Sequence, residues 1–297
     1  MIIVNVEKAR EGMQLAENVC TTTATEYKVL LKKGMFLSSQ MIAMLKEKGI
    51  KSIKIVSGGI DDAVTPESTR SAKELEEERR NERISNALTT LDEIFDCNEE
   101  IKELSQTAVK KVDNIADDIM NDIANDTSFL GNQMIALQNY DDYTYKHCLR
   151  VSMMAASVSA ELKLSAEETK EVVVSGLLHD IGKSNIDHDI IIKPGKLTDE
   201  EFDEIKRHPL IGYNILKNSG EYNSNVMSGV LFHQEKYDGS GYPTGLAGEK
   251  IPLIARILTV CDVFDALTSN RPYRKPWSVA ETEEYILGGC DQHFDYE

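Results

Sequence analysis

The amino-acid sequence predicts a mainly α-helical protein, with a small α+β module and a helical connector ahead of an all-α domain. Short β-branched runs flank a single helix pattern near the N-terminus, which indicates a module of a few strands and one helix. Later in the chain, apolar side chains recur in steps of three and four and little β-alternation remains, which is typical of helices with one buried face. We therefore expect the all-α domain to cover residues 126–297.

The predicted N-terminal module covers residues 1–56, where β-branched runs at residues 2–4 and 53–56 flank the helix. Ser38 and Ser39 are both suitable N-caps for this helix. Ser38 is favoured because the apolar residues around it would then form a hydrophobic staple. No cluster of titratable residues occurs in this part of the sequence, so we expect a docking or regulatory module.

Residues 57–68 are expected to be a linker, because the Gly58-Gly59 pair and Pro66 interrupt regular structure there. Residues 69–125 form the predicted helical connector, in which a dense charge run is followed by two apolar stripes at helical spacing. Packing of these stripes onto the all-α domain is favoured over a dimer seam. A homodimer remains the alternative.

Composition excludes several classes of partner. The formal net charge of −17 argues against binding to DNA or to an anionic membrane, since both require a basic face. The five cysteines are scattered without a C-x-x-C pair, which is typical of reduced thiols in a cytoplasmic protein. No stretch approaches the ~20 apolar residues that cross a bilayer, and no signal-peptide pattern begins the sequence. We expect a cytoplasmic protein.

The most informative stretch is the doublet His179-Asp180, which follows the apolar pair Leu177-Leu178 and precedes Gly182. An imidazole and a carboxylate thus stand together where a buried helix is expected to end. A carboxylate in apolar surroundings costs several kcal/mol unless it is paired or coordinates a metal. The doublet therefore predicts a cation nearby, and a metal ion is the candidate.

Histidines and aspartates form a ladder along the C-terminal half, with successive members about 30 residues apart. At this spacing each helix can contribute one inward-facing ligand, as in the metal sites of helix bundles. Imidazole and carboxylate without thiolate suit hard or borderline divalent ions, and we expect iron or manganese rather than zinc. Two ions bridged by a carboxylate can activate water and neutralise a phosphoryl group. The ladder consists of His147, His179, Asp180, His208, His233 and Asp262.

Ordered motifs surround these residues, namely His179-Asp180-Ile-Gly-Lys183, His208-Pro-Leu-Ile-Gly212, His233-Gln-Glu-Lys-Tyr-Asp238-Gly-Ser-Gly241-Tyr242-Pro243 and Asp262-Val-Phe-Asp265. Over about residues 130–297 the motifs resemble the HD-GYP family, which comprises HD-superfamily phosphodiesterases acting on cyclic di-GMP. The resemblance implies the all-α HD-superfamily fold. Residues 1–56 also resemble, more weakly, a small module found ahead of some HD-GYP domains.

The resemblance implies two metal ions that share Asp180. It also implies that Lys183 lies beside the scissile phosphate, and that Arg271 and Arg274 contact substrate phosphate or guanine. The first metal would be held by His147, His179, Asp180 and Asp262, and the second by Asp180, His208 and His233.

Two further features belong to the same motifs. Asp265 lies one turn after Asp262 on the same helix face, where it can support the nucleophilic water or a ligand. Tyr242 and Pro243 lie in a Gly-rich loop, residues 236–247, which we call the GYP loop. Such a loop suits close approach of the backbone to substrate or to a partner protein.

The chain departs from the family pattern in three places. Gln234 follows His233 where members usually carry a second histidine, so we expect the second metal to bind loosely or to lack one protein ligand. Tyr143, four residues before His147, stands where members with a third metal carry glutamate, so we expect at most two metals. Members also continue into a further helix beyond the position of Glu297, so we expect a truncated chain or a short member.

Three functions are consistent with these observations. The first is a metal-dependent phosphodiesterase that opens cyclic di-GMP to pGpG or GMP in bacterial second-messenger signalling. The alternative is a catalytically impaired effector that binds the nucleotide, or a protein partner through the GYP loop or the N-terminal module. A phosphohydrolase of another cyclic dinucleotide is the third. Outside the ladder, Glu235 either supports the site or lies in a solvated loop, and His188 and His293 are expected to be surface or structural residues.

Overall fold

The computed structural model describes residues 2–22, 27–56, 72–95, 100–125, 144–193, 195–269 and 275–296. Helices dominate the described residues, which confirms the predicted mainly α fold. The chain divides into two compact units, Met1–Arg79 and Arg80–Glu297. The predicted linker at residues 57–68 lies outside the described residues.

The N-terminal unit contains two antiparallel strand pairs and a helix, α1 (Ser39–Glu47). Helix α1 begins after Ser38, whose side chain accepts a hydrogen bond from the backbone N–H of Met41. The favoured N-cap is thereby confirmed. Strand β1 (Ile2–Asn5) pairs with β4 (Ser52–Ile55), β2 (Val19–Thr22) pairs with β3 (Tyr27–Leu31), and α1 (Ser39–Glu47) lies between β3 and β4 in the chain.

Ten further helices follow among the described residues. Short 3-10 turns cover Ile181–Asn185 and Gly248–Lys250. In chain order the helices are α2 (Ala72–Phe95), α3 (Gln106–Asn125), α4 (Thr144–Glu161), α5 (Ala166–Leu178), α6 (His188–Ile191), α7 (Asp199–Ile205), α8 (His208–Ser219), α9 (Ser224–Phe232), α10 (Leu253–Thr268) and α11 (Val279–Gly288).

One hydrophobic core joins the connector helices to the helices that follow. Leu91 of α2, Val112 of α3, Leu149 of α4 and Leu177 of α5 belong to it and are at most 1% exposed. Full burial of such a side chain contributes about 2 kcal/mol. The apolar stripes of α2 and α3 therefore pack onto the helical domain, which was the favoured expectation for them.

Glycines let the backbone segments around the doublet approach closely. A Cβ atom added to Gly182 would lie 2.1 Å from the carbonyl oxygen of His208, and one added to Gly176 would lie 2.8 Å from Cα of Ser152. No other residue type fits such contacts without moving the backbone. The turn after α5 can therefore lie directly against the start of α8, which brings Asp180 and His208 together.

None of the helices in the described part of the chain is long and apolar enough to cross a bilayer.

Candidate metal centre

The ladder residues lie mostly at helix ends that point to one centre. His147 is on α4, His179 and Asp180 follow α5, and His208 is the first residue of α8. His233 caps α9, and Asp262 is on α10. Two groups result, and within each group the possible ligand atoms lie within 4.8 Å of one another. The first group is His147, His179 and Asp262, and the second is Asp180, His208 and His233.

Asp180 faces both groups with different oxygen atoms. Its Oδ2 lies 3.5 Å from Nε2 of His179 and 3.9 Å from Nε2 of His147. Its Oδ1 lies 3.3 Å from Nε2 of His208 and 3.9 Å from Nε2 of His233. The carboxylate therefore stands between the two groups, where a bridging ligand would stand.

Backbone carbonyls fix the orientation of three imidazoles. The Nδ1 atom of each ring donates to the carbonyl oxygen three residues earlier: His179 to Gly176 at 2.9 Å, His208 to Ile205 at 2.7 Å, and His233 to Val230 at 2.8 Å. A carbonyl can only accept a hydrogen bond, so the proton is on Nδ1 and each neutral ring directs an Nε2 lone pair to the centre.

No hydrogen atom lies between these lone pairs, so hydrogen bonds cannot satisfy them. Whether a cation fits the site can be judged from these unsatisfied atoms. Nε2 of His208 lies 3.1 Å from Nε2 of His233, although neither neutral ring carries a proton there. Among the described residues, the buried atoms Nε2 of His179 and Oδ1 of Asp180 have no hydrogen-bond partner. Unsatisfied buried polar atoms cost ~1–3 kcal/mol each, and a cation would satisfy all of them. The residues therefore fit a metal site.

The charge states agree with this arrangement. Burial lowers the pKa of His208 to about 4, and burial also lowers the pKa values of His179 and His233. The three rings are therefore uncharged at neutral pH, as metal ligands must be. Burial alone would raise the pKa of Asp180, but the Lys183 ammonium holds it well below its usual range.

His147 is supported differently, by a carboxylate instead of a carbonyl. Its Nδ1 lies 2.7 Å from Oδ2 of Asp265, and its Nε2 lies 3.0 Å from Oδ1 of Asp262. Burial would lower the pKa of His147, but the hydrogen bonds to Asp262 and Asp265 raise it to about 9. A carboxylate behind a ligating imidazole orients the ring and raises its basicity.

The carboxylate of Asp265 accepts hydrogen bonds from a buried arginine, Arg150. Nε and a terminal nitrogen of Arg150 donate to its two oxygens at 2.6 and 2.9 Å, and Oγ of Ser269 donates at 3.3 Å. Asp265 is fully buried. Of the two roles expected for Asp265, the geometry favours support of a ligand, His147, over contact with a nucleophilic water.

Lys183 and Gln234 contact the carboxylates at the edge of the centre. Nζ of Lys183 lies 2.6 Å from Oδ2 of Asp180 and keeps about a quarter of its side chain exposed. The Gln234 amide nitrogen donates to Oδ2 of Asp262 at 2.9 Å, and its oxygen accepts from the Tyr242 hydroxyl at 3.1 Å. Gln234 therefore bonds to a carboxylate of the first group, although the sequence led us to expect an effect on the second metal.

Glu235 anchors the GYP loop from a buried position. It is 1% exposed, and its Oε1 accepts hydrogen bonds from the backbone N–H and the hydroxyl of Thr244 at 2.7 and 2.8 Å and from the N–H of Gly245 at 3.1 Å. The alternative of a solvated loop is therefore wrong for Glu235. Pro243 is exposed next to Tyr242.

Several predicted residues lie elsewhere. Arg271, Arg274 and Tyr143 lie outside the described residues. His188 is exposed, and His293 is half-buried and stacks on the ring of Phe294 at 4.3 Å between centroids. Both histidines were expected to be surface or structural residues, which these positions confirm.

Sequence reasoning missed Arg150 and Ser269. A signal for Arg150 was available, because it is a charged residue at the start of an otherwise apolar helical run, and a buried charge requires a partner. Ser269 carried no such signal. Its contact with Asp265 depends on the end of α10, which the sequence does not fix to one residue.

Known proteins resemble the chain over this region. It is 42% identical over 162 residues to the cyclic di-GMP phosphodiesterase PA4108 of Pseudomonas aeruginosa. The aligned residues cover 54% of this chain and 39% of that protein. It is 44% identical over 163 residues to the cyclic di-GMP phosphodiesterase response regulator RpfG of Xanthomonas campestris. This alignment covers 54% of this chain and 43% of RpfG. It is also 40% identical over 140 residues to the 3'3'-cGAMP-specific phosphodiesterase 1 of Vibrio cholerae, covering 47% and 32%.

The matched region is thus less than half of the length of each of these relatives. A family model described as the HD domain matches residues 118–297, which include every ladder residue. This match confirms the resemblance predicted from the ordered motifs. The chain belongs to the HD domain family.

Proposed function

We propose that the chain is a metal-dependent phosphodiesterase that hydrolyses cyclic di-GMP to pGpG or GMP. The observation that carries the proposal is the position of Asp180, which faces two groups of imidazole and carboxylate ligands with its two oxygens. Two relatives named as cyclic di-GMP phosphodiesterases support the choice of substrate. The net charge of −17 argues against DNA as the substrate.

The proposed cofactor is a pair of divalent cations, iron or manganese in preference to zinc. The donor atoms are nitrogen and oxygen, which such ions accept. Cys148 lies close to His179 and Asp180, and burial raises the pKa of its thiol well above its ordinary value, so the thiol is neutral in the cation-free chain. The first cation would be held by His147, His179, Asp180 and Asp262, and the second by Asp180, His208 and His233.

When bound, the cations would supply an activated water and neutralise the charge that develops at phosphorus. The protein groups would bind the phosphate, orient a ligand and orient the substrate. Lys183, partly exposed beside Asp180, would place its ammonium against the phosphate anion. Asp265 and Arg150 hold the His147 ring in one orientation. By resemblance, Arg271 and Arg274 would orient the substrate through its phosphates or guanines.

We also propose how the remaining regions contribute. Residues 1–56 would be a regulatory module, joined by a linker at 57–68 and a helical connector at 69–125 to the phosphodiesterase domain at 126–297. The GYP loop, with Tyr242 and Pro243, would contact the nucleotide or a partner protein. The protein would act in the cytoplasm, as a monomer or a homodimer.

The test is turnover of cyclic di-GMP by the full chain reconstituted with Mn²⁺ or Fe²⁺. We expect release of pGpG or GMP by the wild-type protein and its loss in Asp180→Asn, which keeps the size of the side chain but removes the bridging charge. If the wild-type protein binds the nucleotide and releases no product, the effector alternative holds instead. If Asp180→Asn retains full turnover, the proposed centre is wrong.

A second candidate substrate is 3'3'-cGAMP, because one relative at 40% identity is named as specific for it. Both cyclic dinucleotides present the same pair of phosphodiester bonds and differ in one base. Turnover of the two compounds, measured side by side under the same conditions, decides between them. We expect cyclic di-GMP to have the higher kcat/KM.

A further inference from the structure

We infer that Gln234 is a positioning residue that connects Asp262 to Tyr242, and that it thereby couples cation binding in the first group to the GYP loop. The inference rests on the two proposed cation sites. It concerns this chain in particular, because Gln234 stands where the resemblance leads us to expect a histidine. It differs from the expectation that Gln234 affects the second metal.

The two hydrogen bonds of the amide can be assigned from chemistry alone. Oδ2 of Asp262 can only accept, so the amide nitrogen of Gln234 must face it, at 2.9 Å. The amide oxygen then faces the Tyr242 hydroxyl, at 3.1 Å. Burial raises the pKa of Tyr242, and the charges of Asp180 and Asp262 raise it further, so the hydroxyl keeps its proton and donates.

The backbone reinforces this connection. The N–H of Tyr242 donates to the carbonyl oxygen of Gln234 at 3.1 Å, so the two residues are bonded through both main chain and side chain. A Cβ atom added to Gly241 would lie 2.3 Å from the nitrogen of Lys236 and 2.6 Å from the carbonyl oxygen of Gln234. The loop can return this closely only because residue 241 is glycine.

Fixing one carboxylate oxygen of Asp262 determines where the other points. With Oδ2 held by Gln234, Oδ1 lies 3.0 Å from Nε2 of His147, inside the first group. The position of Tyr242 therefore influences the orientation of a proposed cation ligand. By thermodynamic reciprocity, a cation in the first group must stabilise the loop position that Tyr242 occupies.

The experiment is isothermal titration of the cation-free full chain with Mn²⁺ alone, in the wild-type protein and in Gln234→Met, Tyr242→Phe and the double variant. We expect Gln234→Met to weaken one of two binding events roughly tenfold, as is typical when the partner of a metal ligand is removed. Tyr242→Phe should weaken the same event roughly threefold, in line with loss of one neutral hydrogen bond. The double variant should be no weaker than Gln234→Met, because both changes break one chain of contacts.

Tyr237→Phe is the matched control, since it removes a hydroxyl from the same loop near Asp295 and Glu249. We expect wild-type binding in this variant. The inference is overturned if Gln234→Met loses one equivalent of Mn²⁺ outright, which is the behaviour of a ligand, or if Tyr242→Phe binds like wild type. Weakening of both binding events to the same degree also overturns it, since that indicates a general structural defect.

The outcomes also separate this inference from the proposed function. If the wild-type protein binds no Mn²⁺, the proposed centre itself fails. If the wild-type protein binds two equivalents and Tyr242→Phe is unchanged, only the role of Gln234 fails. Should Gln234→Met not fold, Tyr242→Phe still decides, because it removes a single hydroxyl.

Discussion

At the scale of single residues, the centre depends on which ring nitrogen of each histidine is protonated. Carbonyl acceptors hold the proton of His179, His208 and His233 on Nδ1, and the carboxylate of Asp265 does the same for His147. Three Nε2 atoms are thus available to cations without any rotation of the rings, and that of His147 becomes available once its imidazolium loses a proton. This preorganisation reduces the free energy needed to assemble a metal site.

His208→Ala should remove the second cation and leave the first. Asp180 and His233 alone are a poor site, so we expect affinity for the second Mn²⁺ to fall by roughly 100-fold or more. Metal content, measured on protein dialysed against limiting Mn²⁺, gives the number of ions retained. The matched control is His188→Ala, which removes an exposed imidazole of the same chain. Equal metal content in both variants would contradict the assignment.

Asp265→Asn should strongly destabilise the cation-free protein. The change removes the negative charge that faces the buried guanidinium of Arg150, and breaking a buried ion pair typically costs ~3–5 kcal/mol. Urea unfolding measures the difference in the free energy of unfolding. Asp203→Asn breaks the exposed pair with Lys206 and should change that free energy by less than ~1 kcal/mol. Similar losses in the two variants would show that Asp265 has no special role.

At the scale of elements, helix ends and one loop place these side chains. His179 and His233 are the residues at which α5 and α9 end, so the last turns of both helices supply the carbonyls that orient the rings. Glu235 attaches the GYP loop beside them, and Gly241 of the loop packs closely against the backbone of Gln234 and Lys236. The loop that would contact substrate is therefore fixed by Glu235, which follows His233 and Gln234 directly in the chain.

Glu235→Gln should loosen the GYP loop without unfolding the domain. A neutral amide is a weaker acceptor for the N–H groups of Thr244 and Gly245, and its own NH₂ group would face the N–H of Gly245, which is also a donor. We expect faster hydrogen exchange at peptides covering these two amides, as measured by mass spectrometry. Glu249→Gln, at an exposed position in the 3-10 turn that follows the loop, should leave exchange unchanged. If Glu235→Gln exchanges like wild type, the carboxylate does not hold the loop.

At the scale of the whole molecule, the sequence predicted the convergence of the ladder because regular helices separated by short connections bring equivalent positions together. It also predicted that Asp180 would stand between two groups of ligands, which is where the structure places it. It could not predict the contact of Arg150 with Asp265, because the residues are distant in sequence and meet only through the packing of α4 against α10. The sequence could not predict the burial of Glu235 either, since its neighbours Lys236 and Tyr237 are typical of a solvated loop.

Cation binding should stabilise the helical domain as a unit, because the proposed ligands come from five helices or their ends. A ligand present at 100 times its Kd adds about 2.7 kcal/mol to the free energy of unfolding. We expect Mn²⁺ to raise the Tm of the wild-type protein, chelation to reverse the rise, and His179→Ala to abolish it. Differential scanning calorimetry provides the measurement, and an equal rise of Tm in His179→Ala would contradict a shared centre.

The most direct test of a two-cation phosphodiesterase follows hydrolysis of cyclic di-GMP while Mn²⁺ is titrated into the cation-free chain, with bound metal measured at each point. We predict that product appears as the groups around Asp180 fill and reaches its maximum when two equivalents are bound. A protein that fills both sites, binds the nucleotide and still releases neither pGpG nor GMP would contradict the account.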